Sequence, residues 1–143
     1  LGLDKIKSWA SLLALSKLDD KPEALHYIAL VRALMCERLS EYMEPGSKDL
    51  FYTVGLLSSL DAFFDKSIND IIEHIALAPG IADALTDLKG IAGLALSTTI
   101  HFEQSRWHKL NWGKLAKYEL NAKQINDIYF ESSRLALELS SET

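Results

Sequence analysis

The stretch Asp49–Leu85, DLFYTVGLLSSLDAFFDKSINDIIEHIALAPGIADAL, decides how this chain folds. It opens with Leu50 to Phe64, where only Tyr52, Thr53, Ser58, Ser59 and Asp61 carry polar side-chain atoms. A helix that apolar nearly all round must be buried between other elements. Asp49, Asp61 and Asp65 interrupt the run, so it lacks the uncharged span of ~18 residues that a membrane crossing needs. Gly55, with no side chain, allows a neighbouring helix to pack closely. Ser67 fits an N-cap, with Asp70 three residues on in a short-acid version of the capping box, and starts a helix at Ile68. Pro79 suits the first turn of a third helix, where its missing N–H costs nothing.

Towards the amino terminus, Leu3 to Leu18 places Leu3, Ile6, Trp9, Ala10 and Leu13 on one helical face. Leu12, Leu15 and Leu18 extend its apolar surface beyond a single stripe, so association with itself or a partner is expected. Asp19-Asp20-Lys21-Pro22 ends that helix and begins the next. From Glu23 to Met43, Leu25, Ile28, Met35, Leu39 and Tyr42 follow helical spacing, with Cys36 beside the stripe. Glu44-Pro45-Gly46-Ser47 is a sharp turn, too short for a domain linker.

Beyond the central stretch, Lys89-Gly90 reads as a helix end with glycine at C′. Ile91 to about Leu110 reads as one long helix despite Gly93 and Thr98-Thr99. Asn111 fits the cap of a short helix from Trp112 to Tyr118. Asn121 with Gln124 opens a last helix from Ala122 to about Leu139, its inward stripe being Ile125, Ile128, Tyr129, Leu135 and Leu139. With no alternating strand pattern, fixed-period repeat or low-complexity segment, the expectation is one all-α domain over residues 1–143, with about eight helices.

At 143 residues and 48% hydrophobic content, a sizeable single core is affordable, and 24% charged residues argue against disorder. The net charge of −5 gives no general attraction to nucleic acid or anionic membrane. The lone cysteine, Cys36, excludes an internal disulfide and suits a reducing cytoplasm. No basic-then-apolar leader precedes the first helix, so a cytoplasmic location is expected.

Catalytic constellations are hard to find. Metal-dependent HD-type phosphohydrolases need an adjacent His-Asp pair, because imidazole and carboxylate together hold the metals that activate water. Here His26, His74, His101 and His108 precede Tyr27, Ile75, Phe102 and Lys109. On a continuous helix His101 and His108 would share a face, but seven residues rise about 10.5 Å, long for one metal. Ordinary helix histidines are the simpler reading, and the same holds for His74 beside Glu73 and for His26. Cys36, next to an apolar stripe, reads as a small core residue rather than a reactive thiol. Gly90 and Gly93 form no phosphate loop. No catalytic, cofactor-binding or metal-binding residue is assigned, and enzyme activity is not expected.

Charge is uneven. Leu50 to Gln104 holds two basic and seven acidic residues, net −5, whereas Ser105 to Lys123 holds five basic and one acidic, net +4, interleaved with Trp107, Trp112 and Tyr118. Basic residues with aromatics can bind single-stranded nucleic acid. A solvated face with its aromatics turned inward is preferred, with docking of an acidic protein partner between the two.

The central stretch resembles the signature of the HDOD domain, which is joined to EAL domains in bacterial cyclic di-GMP signalling proteins. There a helix reading VGLLSLLDALL leads to spaced leucines and isoleucines, a glycine, and a long helix ending near YE…W. Val54–Phe64, Gly90, Phe102-Glu103 and Trp107 stand at those places here, and Leu1, Gly2, Trp9, Leu12 and Leu13 match the family's opening helix. The resemblance runs from Leu1 to about Leu115, on packing motifs. It implies an HD-like helical fold without the metal-binding His-Asp pair, and the lack of such a pair here agrees. It also implies that the domain's first helices precede Leu1, so that the chain is read as a fragment. The expected function is that of a non-catalytic signal-transduction and protein-interaction module, regulating or relaying an attached EAL domain, with self-association open and neither nucleic acid nor membrane as partner. The alternative is a degenerate HD-type metal-dependent phosphohydrolase with its ligands upstream.

Overall fold

The computed structural model describes residues 23–64, 66–73, 77 and 79–141, and every one of its regular elements is helical. They are α1 (Glu23–Met43), α2 (Lys48–Leu57), α3 (Leu60–Phe64), α4 (Ile68–Ile72), α5 (Pro79–Asp87), α6 (Gly90–Glu103), a 3-10 turn (Trp107–Lys109), α7 (Trp112–Ala116) and α8 (Ala122–Ser141). The all-α expectation therefore holds for the described residues. The expected Leu3–Leu18 helix and His74 lie outside them.

The long α1 is the hub: α2, α6 and α8 all pack against it, and α5 packs on α6. Its residues divide between two apolar clusters. Met35, Cys36, Leu39 and Met43 join Phe51 and Val54 of α2, Leu96 of α6 and Ile125 and Ile128 of α8. Leu30, Val31 and Leu34 join Tyr52 and Leu56 of α2 and Ala136 of α8. Because α2 touches both clusters, little of its surface beyond the first turn and Thr53 is left for polar side chains. That is why Leu50 to Leu57 reads as apolar nearly all round.

Gly55 sits where α2 crosses α1. A Cβ there would lie 2.4 Å from the carbonyl oxygen of Arg32 and 2.8 Å from the Cα of Ala33, both backbone atoms that cannot swing aside. The close approach expected at Gly55 is thus a requirement of the crossing.

The single helix expected over Leu50 to Phe64 is instead two. Ala62 donates its backbone N–H to Ser59 at 3.1 Å, one residue short of α-helical spacing, while the carbonyl of Ser58 meets the Arg32 guanidinium at 3.4 Å. Ser58 also turns its hydroxyl back onto the carbonyl of Gly55 at 2.7 Å. An acceptor taken by a side chain and a tightened turn together interrupt the ladder.

The long helix expected over Ile91 to Leu110 also ends early. Ser105 adopts a left-handed conformation at φ 58, and Arg106 N–H bonds the carbonyl of His101 while Ser105 N–H bonds that of Phe102. This pair of bonds is the Schellman closure, with serine in the place usually held by glycine. Glu119 (φ 61) closes α7 in the same way, with Leu120 bonding Leu115 and Glu119 bonding Ala116. The expected glycine end at Gly90 is displaced as well. Leu88 takes the left-handed conformation just after α5, and Gly90 begins α6. A Cβ on Gly93 would come within 2.2 Å of the Leu88 backbone, so this reversal is tight.

The short-range signals are realised. Ser67 accepts from Asp70 N–H at 3.2 Å, and Asn111 accepts from Lys114 N–H at 3.1 Å. Asn121 and Gln124 cap each other reciprocally, both bonds at 2.9 Å. On α8 the inward face is Ile125, Ile128, Ser132 and Ala136, whereas Leu135 is 41% exposed and is not part of the stripe. On α1, Tyr42 is likewise part-exposed, at 37%.

Gly55→Ala should destabilise the fold by ~1–3 kcal/mol or more, because the added methyl meets unyielding backbone. Urea denaturation should show a lowered midpoint with an unchanged slope, and an unchanged midpoint would contradict the crossing described.

Candidate functional site around Arg32, Glu103 and Trp107

Polar and aromatic groups concentrate where α6 ends. Arg32 stands in the middle of α1 within the apolar run Ile28–Cys36. Its guanidinium grips Glu103, the last residue of α6, in a fork: Nε to Oε1 at 3.1 Å and Nη2 to Oε2 at 2.8 Å. Both side chains are mostly buried, at 15% and 17% exposure. The third nitrogen, Nη1, lies 3.4–3.5 Å from the Ser58 carbonyl and the hydroxyls of Ser58 and Ser59. One arginine therefore ties α1 to α6 and to the break between α2 and α3. Bidentate charge-assisted bonds of this kind are directional, so they fix register as well as proximity.

A cleft of about 330 Å³ opens beside this pair, its walls including Ile68, Leu85, Leu96 and Ile100, with Asp61 and Gln104 among its polar lining residues. Arg32 contributes to that wall, but its charge is already matched by Glu103.

One turn deeper, Cys36 is fully buried and lies 3.5 Å from the hydroxyl of Thr99. Thr99 and Thr98 are themselves satisfied by bonding the carbonyls of Ala95 and Leu94 at 2.9 and 2.8 Å, which is how α6 accommodates two adjacent buried threonines. Burial pushes the Cys36 thiol up to about 12, the Thr99 hydrogen bond opposing only in part. The core reading of Cys36 stands.

His101 and His108 do not share a helix. His101 lies in the last turn of α6, and His108 stands exposed in the 3-10 turn beyond the Ser105 reversal. Desolvation first, then the positive charges of Arg106, Lys109 and His108, lower the His101 pKa below the usual imidazole value, favouring the neutral ring. His26 lies half-buried on α1, away from this end of α6 in sequence. Among the described residues no group of three or more His, Cys, Asp or Glu side chains is placed to hold a metal ion.

The aromatics form a continuous run. Trp107 meets Phe102 edge-on at 6.3 Å between ring centroids, Phe102 meets Tyr129 of α8 at 5.3 Å, and Tyr129 meets Phe130 at 6.2 Å. Trp112 donates its indole N–H to the carbonyl of Trp107 at 3.2 Å, fixing the 3-10 turn. The expectation that the aromatics of the basic segment turn inward is met only at Tyr118, which packs on the core, while Trp107 is 52% and Trp112 37% exposed. Arg32 belongs to no motif in the sequence. An arginine inside an otherwise apolar helical run, which must find a partner or a route to water, was the available signal.

No protein-family model matches the chain, and no solved structure matches it. Among curated proteins it is similar to "Cyclic di-GMP phosphodiesterase CdgJ" of Vibrio cholerae, 30% identical over 109 residues, which is 75% of this chain and 25% of that protein. It is also similar to "Uncharacterized protein YuxH" of Bacillus subtilis, 26% identical over 89 residues, 59% of this chain and 22% of that protein. The chain thus spans about a quarter of the length of the curated relatives it matches.

The Cys36 thiol should react with a disulfide reagent at mildly alkaline pH about a hundredfold more slowly in the folded chain than in the unfolded one, or slower still. Its raised pKa also sets a sign for stability. The unfolded thiol loses its proton near 9 and the folded one near 12, so the contribution is fully present below 9 and is lost as pH rises towards 12. Prompt reaction of the native thiol would contradict its placement in the core.

Proposed function

We infer that this chain is a non-catalytic interaction module of a bacterial cyclic di-GMP signalling protein, and that it relays or tunes the output of an attached EAL domain in the cytoplasm. The similarity over 109 residues to a protein named as a cyclic di-GMP phosphodiesterase carries this reading. Only a quarter of that relative's length is involved, which suits a module that accompanies the catalytic part.

The residues that give the HDOD resemblance support it from another direction. Glu103 closes on Arg32, Phe102 bridges Trp107 to Tyr129, and Val54 is core. Their work here is to hold helices together. The Arg32–Glu103 pair neutralises itself, which leaves little free charge for polarising a phosphodiester. Among the described residues no helix is long and apolar enough to cross a membrane.

The purified chain, incubated with cyclic di-GMP and Mg²⁺ or Mn²⁺, should produce no linear dinucleotide by chromatography. Deleting the matching segment from an active EAL-bearing parent should change the parent's rate of cyclic di-GMP hydrolysis. Hydrolysis by the isolated chain, or a parent indifferent to the deletion, would contradict the proposal.

A further inference from the structure

Arg106 and Trp107 lie outside the two core clusters. Arg32, Arg38 and Arg134 each pair with a glutamate. Among the described residues Arg106 pairs with none, and its Nε is buried without an acceptor there. Beside it the exposed face of Trp107 leads through Phe102 and Tyr129 to Phe130, which is 63% exposed. Lys109, Lys114 and Lys117 are exposed nearby in the chain, while Lys123 reaches Asp127 only at 3.6 Å. Ser105 to Lys123 carries net +4, and Glu119 is its only acid. A half-exposed tryptophan with a rigid backing and an unpaired arginine at its side is the composition of an interface anchor.

The complementary surface is present on the same chain. Leu60 to Asp87 holds six acidic residues and one basic, net −5. Asp61, Asp70, Glu73 and Asp83 are exposed, and among the described residues none of them pairs with a cation. Asp87 has only a loose contact with Lys89 at 3.9 Å. Asp83 and Asp87 stand one turn apart on α5, and immediately beyond them Leu88 is 42% exposed, held out by its left-handed backbone. This edge offers carboxylates around an apolar spot, where the other offers cations around an indole.

We propose that the Arg106–Trp107 edge docks a second copy of this chain, against the acidic edge of α4 and α5 with Asp83, Asp87 and Leu88 at its centre. A polyanion fits less well, because it would meet a molecule of net charge −5. The two edges are different patches, so the contact is heterologous and builds rings or open chains rather than a two-fold dimer. The assembly does not depend on the signalling role: a chain that stays monomeric could still act on an EAL domain.

Sedimentation velocity and light scattering on the purified chain, from micromolar to millimolar concentration, test this. Mean mass should rise with concentration at low salt and fall as salt screens the charges. Trp107→Ala should weaken association about tenfold or more, with an unchanged circular dichroism spectrum showing that the fold is intact. Arg106→Glu alone and Asp83→Arg alone should each abolish it. Their equimolar mixture should restore it, because each altered edge then finds a complementary one on the other variant. A chain monomeric at millimolar concentration, association indifferent to Trp107→Ala and to salt, or a mixture that fails to recover would overturn the proposal. So would Arg106-dependent retention on a heparin column without self-association, which would assign the edge to a polyanion.

Discussion

Everything in this fold passes through the crossing at Arg32. Its backbone carbonyl lies where a side chain on Gly55 would be, so α2 can approach α1 only because residue 55 is glycine. Its side chain takes the Glu103 carboxylate and borders the Ser58 carbonyl where α2 gives way to α3. A single residue thus sets the spacing of two helices through its main chain and the seating of a third through its guanidinium. Such a pair need not add stability over an apolar one of equal size, but removing one member leaves a charge stranded in the interior. That asymmetry is what makes the arrangement specific to one packing of α1, α2 and α6.

Around this point the chain has two kinds of surface. Inside, α2 faces two clusters at once, and α6 buries two threonines whose hydroxyls return to their own helix. Outside, the end of α6 turns sharply at Ser105 and sends Trp107 into solvent while Phe102 stays anchored against Tyr129. The same few residues that fix α6 therefore present an aromatic and basic edge. A structural ion pair with such an edge beside it is coherent with the proposed role of a module that transmits through contact.

Much of this was readable from residues a few positions apart. Ser67, Pro79, Asn111 and the Asn121–Gln124 pair act within four residues, so their spacing alone carries the information. Gly55 was readable as a close approach, though not what would approach it. The ends of α5, α6 and α7 were not, because Leu88, Ser105 and Glu119 take left-handed conformations that local preference assigns to glycine or asparagine. Tertiary packing pays for that strain, and packing has no signature in a short window. The break after Leu57 was hidden for a related reason: the group beside the Ser58 carbonyl comes from another helix, 26 residues earlier. The Arg32–Glu103 pair joins positions 71 apart, and only the oddity of an arginine amid apolar neighbours hinted at it.

Arg32 and Glu103 are the centre of the fold only if they act as one unit. A double-mutant cycle on stability, with Arg32→Leu, Glu103→Leu and the double variant followed by urea denaturation, measures this directly. Each single change should cost ~2–4 kcal/mol by stranding its partner, and the double variant should cost less than the sum by ~1–3 kcal/mol. Costs that simply add to within about 0.5 kcal/mol would show the two side chains to be independent, and the crossing would not be the centre of the fold.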